Sequence, residues 1–142
     1  MTDASVVVKW YLEEEYSKEA EALRNQFVLG NIELAAPHHM PFEVLNALRY
    51  SGTFSSRELW EVAESIYLYG IALHELRGEY ARQTMEIATS CKVSVYDAAY
   101  VALAKVLNGV VYTADEKLIS SLPSELASIC IHVGDVPREW LE

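Results

Sequence analysis

An α/β fold, with a parallel sheet covered by helices on both faces, is the architecture this sequence predicts. Two observations carry that reading. Short apolar segments of strand length alternate with longer segments of helical period. One of the helical segments, 95–107, is almost wholly apolar, as a helix packed against a sheet and its neighbours must be. No repeat, low-complexity tract or Gly/Ser-rich linker interrupts the alternation, so residues 1–142 are read as one domain.

The elements follow in order. Residues 4–12 are apolar and helix-compatible, ending in the acidic run Glu13-Glu14-Glu15. Residues 17–28 form a helix, with Ser17 as its N-cap and Ala20, Leu23 and Phe27 at helical spacing. After the break at Gly30-Asn31, 32–36 is a strand stopped by Pro37. Residues 41–50 are a helix with Pro41 in its first turn, where a missing N–H costs little. A helix over 56–68 and an edge strand within 70–76 come next, then helices over 79–90 and 95–107. Asn108-Gly109 stops the latter. A strand at 109–113, a short helix at 116–121 and a last strand at 128–133 complete the domain.

The formal net charge of −10 lacks the basic footprint of a protein that holds nucleic acid by phosphate neutralisation alone. Either the chain does not touch nucleic acid, or bound divalent cations supply positive charge where it matters. No apolar run reaches the roughly 18 residues that span a bilayer, and Met1-Thr2-Asp3 has no basic leader. The cytoplasm, with no membrane contact, is the expected location. Cys91 and Cys130 show no zinc spacing and are read as buried thiols.

Three aspartates stand at helix starts: Asp3 before the first helix, Asp97 in the first turn of the buried helix, and Asp115 between the strand ending at Thr113 and the helix after it. Taken singly, each is a good helix cap, favoured by the dipole by roughly 0.3–1 kcal/mol. Ser94-Val95-Tyr96-Asp97 even has the form of a capping box. Taken together, they would share the edge of a parallel sheet where strand C-termini meet helix N-termini and ligands bind. Converging carboxylates raise one another's pKa, a cost that a hard divalent cation removes. Glu43, flanked by Phe42 and Val44, fits either an inward ligand or the solvated side that it shares with Asn46, Ala47 and Tyr50. His38 and His39 are expected to be exposed at a helix start, and His74 and His132 to lie in strands; none is assigned as a base.

Four stretches now stand in a recognisable order: Asp3-Ala-Ser5, Phe42-Glu43-Val-Leu-Asn46-Ala-Leu, Val95-Tyr96-Asp97-Ala-Ala-Tyr-Val-Ala-Leu-Ala and Thr113-Ala-Asp115-Glu-Lys117-Leu. In order and spacing they resemble the PIN domain, and most of all the VapC toxins of toxin–antitoxin pairs. The resemblance implies a PIN-like parallel sheet, a Mg²⁺ or Mn²⁺ site, and endoribonuclease activity on RNA. It places Asp3, Glu43, Asp97 and Asp115 as catalytic and metal-binding residues, with Ser5 and Thr113 as polar supports. It also implies a small antitoxin partner, whose basic segment the acidic chain would meet quickly. The family has several apolar strand residues before its first aspartate; here only Met1-Thr2 precede it. The first strand is therefore expected to be clipped, or the true start to lie upstream, and Asp3 is the least secure member of the set.

Lys9, Arg49 and Lys117, the basic residues nearest the four acids in sequence, are candidates to meet RNA phosphates. Trp60 and Tyr67 form an aromatic line beside the apolar stripe Leu59, Val62, Ala63 and Ile66. That line serves either a second buried face or a homodimer, and the resemblance favours the dimer. Three competing readings remain: a phosphotransfer domain, which would want the Asp-x-Asp start absent here; a non-enzymatic acidic α/β module whose aspartates only cap helices; and a housekeeping RNA-processing PIN nuclease.

Overall fold

The computed structural model describes residues 1–142. Its helices are α1 (Ala4–Val7), α2 (Ser17–Val28), α3 (Met40–Ser51), α4 (Ser56–Tyr69), α5 (Gly78–Cys91), α6 (Val95–Val106), α7 (Glu116–Ser120) and α8 (Ser124–Ala127). Its strands are β1 (Ala35–Pro37), β2 (Ala72–His74), β3 (Val111–Thr113) and β4 (Cys130–His132). β1 pairs with β2 and β3 with β4, both in parallel. The amino terminus joins the two pairs. Thr2 N–H donates to Ala35 O at 3.2 Å, Asp3 N–H to Tyr112 O at 3.0 Å, and Tyr112 N–H to Met1 O at 3.0 Å. The order across the molecule is therefore β2-β1-(Met1–Asp3)-β3-β4, the α/β arrangement the alternation predicts.

The first strand is indeed clipped, to a single bridge between Thr2 and Tyr112. It nevertheless lies in the middle of the sheet, because its backbone is bonded on both sides. Burial drives this placement: Thr2, Val6 and Val7 are fully buried, and the chain turns into α1 directly after Asp3. α6 runs through the core, with every residue from Ala98 to Ala104 buried. Its alanines let the neighbouring α5 approach closely, and the Tyr80 hydroxyl of α5 donates to Ala99 O at 3.1 Å.

Several local expectations change. β1 begins later than expected and includes Pro37; the ladder continues past it through His38 N–H to His74 O at 2.9 Å. Ser17 does not cap α2 with its side chain, because Tyr16 occupies the cap position in a left-handed conformation. The Ser17 hydroxyl instead accepts from Glu14 N–H and ties down the acidic run. Cys91 is only half-buried, whereas Cys130 is buried. α8 follows Pro123 and lacks an apolar stripe, so periodicity gave no sign of it. Trp60 and Tyr67 are 61% and 81% exposed, which rules out a second buried face for α4 within one copy. No helix is long and apolar enough to cross a membrane.

Candidate active site

The carboxyl edge of the sheet gathers the four predicted acids, each by a different device. Asp3 ends the central bridge and is only 7% exposed. It occupies the N-cap position of α1 but makes no capping bond. Its Oδ2 accepts instead from the Thr113 hydroxyl at 2.7 Å and the Ser5 hydroxyl at 3.0 Å. Both supports also fix the neighbouring strand end: Ser5 Oγ accepts from Ala114 N–H, and Thr113 Oγ1 accepts from Asp115 N–H, each at 3.0 Å. The pair named as supports thus bridges the first and fourth stretches of the motif.

Asp97 stands half-buried in the first turn of α6, where Ser94 is the N-cap and its hydroxyl accepts from Asp97 N–H at 3.0 Å. Asp115 is itself the N-cap of α7, its Oδ1 accepting from Leu118 N–H at 3.1 Å. The capping reading therefore holds for Asp115, fails for Asp3, and passes to Ser94 at Asp97. Glu43 lies in the first turn of α3 with Oε1 2.8 Å from the Tyr100 hydroxyl, which donates to it. His39 Nε2 lies 2.8 Å from the same oxygen, but out of line for a hydrogen bond.

Electrostatics shows how these groups sense one another. Burial pushes Asp3 up to about 6; the two hydroxyl bonds oppose the rise, and repulsion from Glu43 and Asp97 adds to it. Asp97 is also raised, by burial first and then by Asp115 and Glu43, while His39 pulls it down. Asp3, Glu43 and Asp97 thus form one electrostatic group, and Asp115 joins it through Asp97. The side chains acting on Asp3 are hydroxyls and other acids, with no cation among them. No three His, Cys, Asp or Glu side chains close into a ready metal cage. Unscreened like charges stand apart, and the donor set is made of carboxylate oxygens, the type that Mg²⁺ and Mn²⁺ take.

Two residues of the site escaped sequence reasoning. Tyr100 reads as one more core residue of α6, and it is fully buried, but its hydroxyl reaches Glu43. Its spacing from Asp97, one helical turn, was the available signal. His39 is not exposed as expected; it is wedged edge-on between Tyr96 and Tyr100, with ring centroids at 5.2 and 5.3 Å. Its spacing from Glu43, four residues, carried the same signal. Lys9, in contrast, is buried and paired with Glu14 at 2.9 Å, so it is not available to phosphate. Arg49 and Lys117 are exposed, and Arg49 lies over the ring of Tyr50 at 5.0 Å.

Comparison with known proteins identifies the family. A model of the PIN domain family matches residues 1–121. Ribonuclease VapC3 of Pyrobaculum aerophilum is 30% identical over 135 residues, which cover 87% of this chain and 95% of that protein.

Proposed function

The chain belongs to the PIN domain family and is VapC-like, and from that premise we propose that it is a divalent-metal-dependent endoribonuclease, the toxin of a toxin–antitoxin pair. One observation supports the chemistry most directly. Asp3 is a buried carboxylate beside two further acids, raised to about 6 and held by hydroxyls alone. A chain that keeps such a group without a cationic side chain is built to receive a cation. Asp3, Glu43, Asp97 and Asp115 would hold Mg²⁺ or Mn²⁺, with Ser5 and Thr113 in support. When bound, such an ion acidifies water and neutralises charge on phosphate oxygens.

The chain's own residues prepare that site. Thr113 and Ser5 fix the Asp3 carboxylate by one oxygen, so its orientation survives any change in its charge. Tyr100 holds Glu43 at Oε1 in the same way. In the overall reaction water attacks phosphorus and the P–O bond to the leaving ribose oxygen breaks. Water's proton ends on that oxygen. No Ser or Cys nucleophile is needed.

Two interactions belong to the same proposal. A small antitoxin with a basic segment silences the acidic edge in the cytoplasm, and a second copy of the chain covers the Trp60 and Tyr67 face of α4. Incubating the purified chain with single-stranded RNA, with and without Mg²⁺ or Mn²⁺, tests the enzyme. Cleavage that persisted in excess chelator, or that was untouched by Asp97→Asn, would end the metal-dependent reading. Light scattering at tens of micromolar tests the dimer; a monomeric mass removes it.

A further inference from the structure

Two of the site's acids share a feature that metal binding does not explain. Glu43 follows Phe42 in the first turn of α3, and Asp97 follows Tyr96 in the first turn of α6. Both aromatics are exposed, Phe42 at 76% and Tyr96 at 61%. Large apolar rings at such exposure lose stabilisation unless something covers them. They face one cleft of about 450 Å³, also lined by His38, His39, His74 and Leu76. That volume lies in the range of small-ligand sites. The cleft adjoins the acids, because His39 lines it and also touches Glu43.

The Tyr96 ring is braced. His39 packs edge-on against Tyr96 and, on its other side, against the buried Tyr100. Tyr96 is therefore a supported platform rather than a loose surface side chain. Three imidazoles around it offer hydrogen-bonding edges, and Glu75 is the one carboxylate in the lining.

We propose that this cleft is the nucleobase subsite of the enzyme: one unpaired RNA base stacks on Phe42 and Tyr96, and its own phosphate then reaches the cation that Glu43 and Asp97 would hold. The inference rests on the ribonuclease reading and adds how substrate is held. The charge balance favours it over a phosphate groove. With a net charge of −10, the chain gains little from long-range attraction to RNA, whereas stacking on aromatic rings is independent of charge and tolerant of sequence. Only unstacked bases present a free face to such rings, so the substrate is single-stranded RNA and duplex RNA is excluded.

The test is equilibrium binding of a fluorescent single-stranded RNA decamer to the full chain in Ca²⁺, which takes the same oxygen ligands, beside cleavage of the same RNA in Mg²⁺ or Mn²⁺. Phe42→Ala and Tyr96→Ala should each weaken binding by about five-fold or more, as loss of a stacking ring does. Phe42→Leu, which keeps apolar area without a ring, should behave as Phe42→Ala, and Tyr96→Phe should bind like wild type. A duplex of the same sequence should bind at least about ten-fold more weakly. Both rings are exposed, so the variants should retain their circular dichroism spectra. Unchanged RNA affinity in the Phe42→Ala/Tyr96→Ala double variant overturns the subsite. So does rescue by leucine, the behaviour of a surface that takes an apolar protein segment, or absence of any binding by the wild type. Ring-dependent binding without cleavage in Mg²⁺ or Mn²⁺ would keep the subsite and end the nuclease reading; cleavage with ring-independent binding would do the reverse.

Discussion

Asp3 and Glu79 are both acids at the start of a helix, and the protein treats them in opposite ways. Glu79 stands on the open face of α5, where Arg82 and Gln83 donate to it and Arg82 also reaches Glu86 at 2.5 Å. Those bonds hold Glu79 down to about 2. Asp3 is buried at the sheet edge with hydroxyl partners and acidic neighbours, and rises to about 6. On α5 each charge is answered three or four residues away on the same helix, so the arrangement is self-contained. At the sheet edge, acids from four distant stretches meet, and His39 is the positive influence on Asp97. The surface group completes itself, while the buried group asks for something from outside.

The largest effect that can test this contrast is on catalysis. Asp97→Asn keeps the shape of the first turn of α6, and Ser94 retains the helix cap. RNA cleavage should fall by more than the roughly 10–100-fold that loss of an outer-shell partner costs a metal site. The thermal midpoint should hold or rise, since a repelling charge is gone. Lost stability with full activity would reduce Asp97 to a structural residue.

The second test is stability against pH in chelator. The folded state holds the Asp3 proton more tightly than the unfolded chain does. This contribution is therefore complete below about pH 4 and drains as pH rises through about 6, removing about 3 kcal/mol. Glu79 acts in the other direction and at lower pH: its contribution is present above the unfolded value of 4.5 and is lost as pH falls through about 2. The Met1 amine, lowered to about 6 by burial, adds stability as pH rises between about 6 and 8, so the windows separate. Urea unfolding from pH 4 to 6.5 should show the decline, and Asp3→Asn should flatten it. Saturating Mn²⁺ should also flatten it, because a ligand that binds only the charged folded state stabilises that state. A decline unaffected by both would place its origin elsewhere.

A third, smaller effect separates support from contact. Tyr100→Phe removes one hydroxyl from Glu43 and leaves the buried ring in place. It should lower kcat by roughly 10–100-fold, as loss of a second-shell bond does, with KM for RNA nearly unchanged. An equal rise in KM would instead mean that Tyr100 touches substrate.

Where the sequence was readable, it was through period and punctuation; where it failed, contacts across the fold had decided. α6 announces itself by an unbroken apolar run and α4 by the stripe Leu59, Val62, Ala63 and Ile66, whereas the Ser55–Glu58 capping box of α4 emerges only in the structure. The strands were visible as segments, but their three-residue cores were not, because a ladder ends where its partner ends. Asp3 looked insecure behind a two-residue strand, since strand length says nothing about bonding on both sides. His39 and Tyr100 stayed hidden because a histidine after a strand and a tyrosine among alanines have ordinary structural uses. Only their meeting at Glu43, fifty-seven residues before Tyr100 counted back along the chain, marks them.

The smallest expected effect completes the comparison from the other side. Arg82→Ala takes away the group that holds Glu79 down and leaves two exposed acids, Glu79 and Glu86, in water. Water and salt replace the lost partner at once, so an exposed pair contributes little and less still at high ionic strength. RNA cleavage should be unchanged, and the thermal midpoint should move only slightly, with the difference vanishing in 0.5 M salt, at roughly half the screening length of physiological buffer. The pKa of Glu79, followed by NMR, should return toward the ordinary carboxylate value while that of Asp3 stays where burial puts it. A change at Asp3 on removal of Arg82 would show that the two acidic groups share a field after all, and that the sheet edge is less isolated from the helix surface than their opposite pKa values imply.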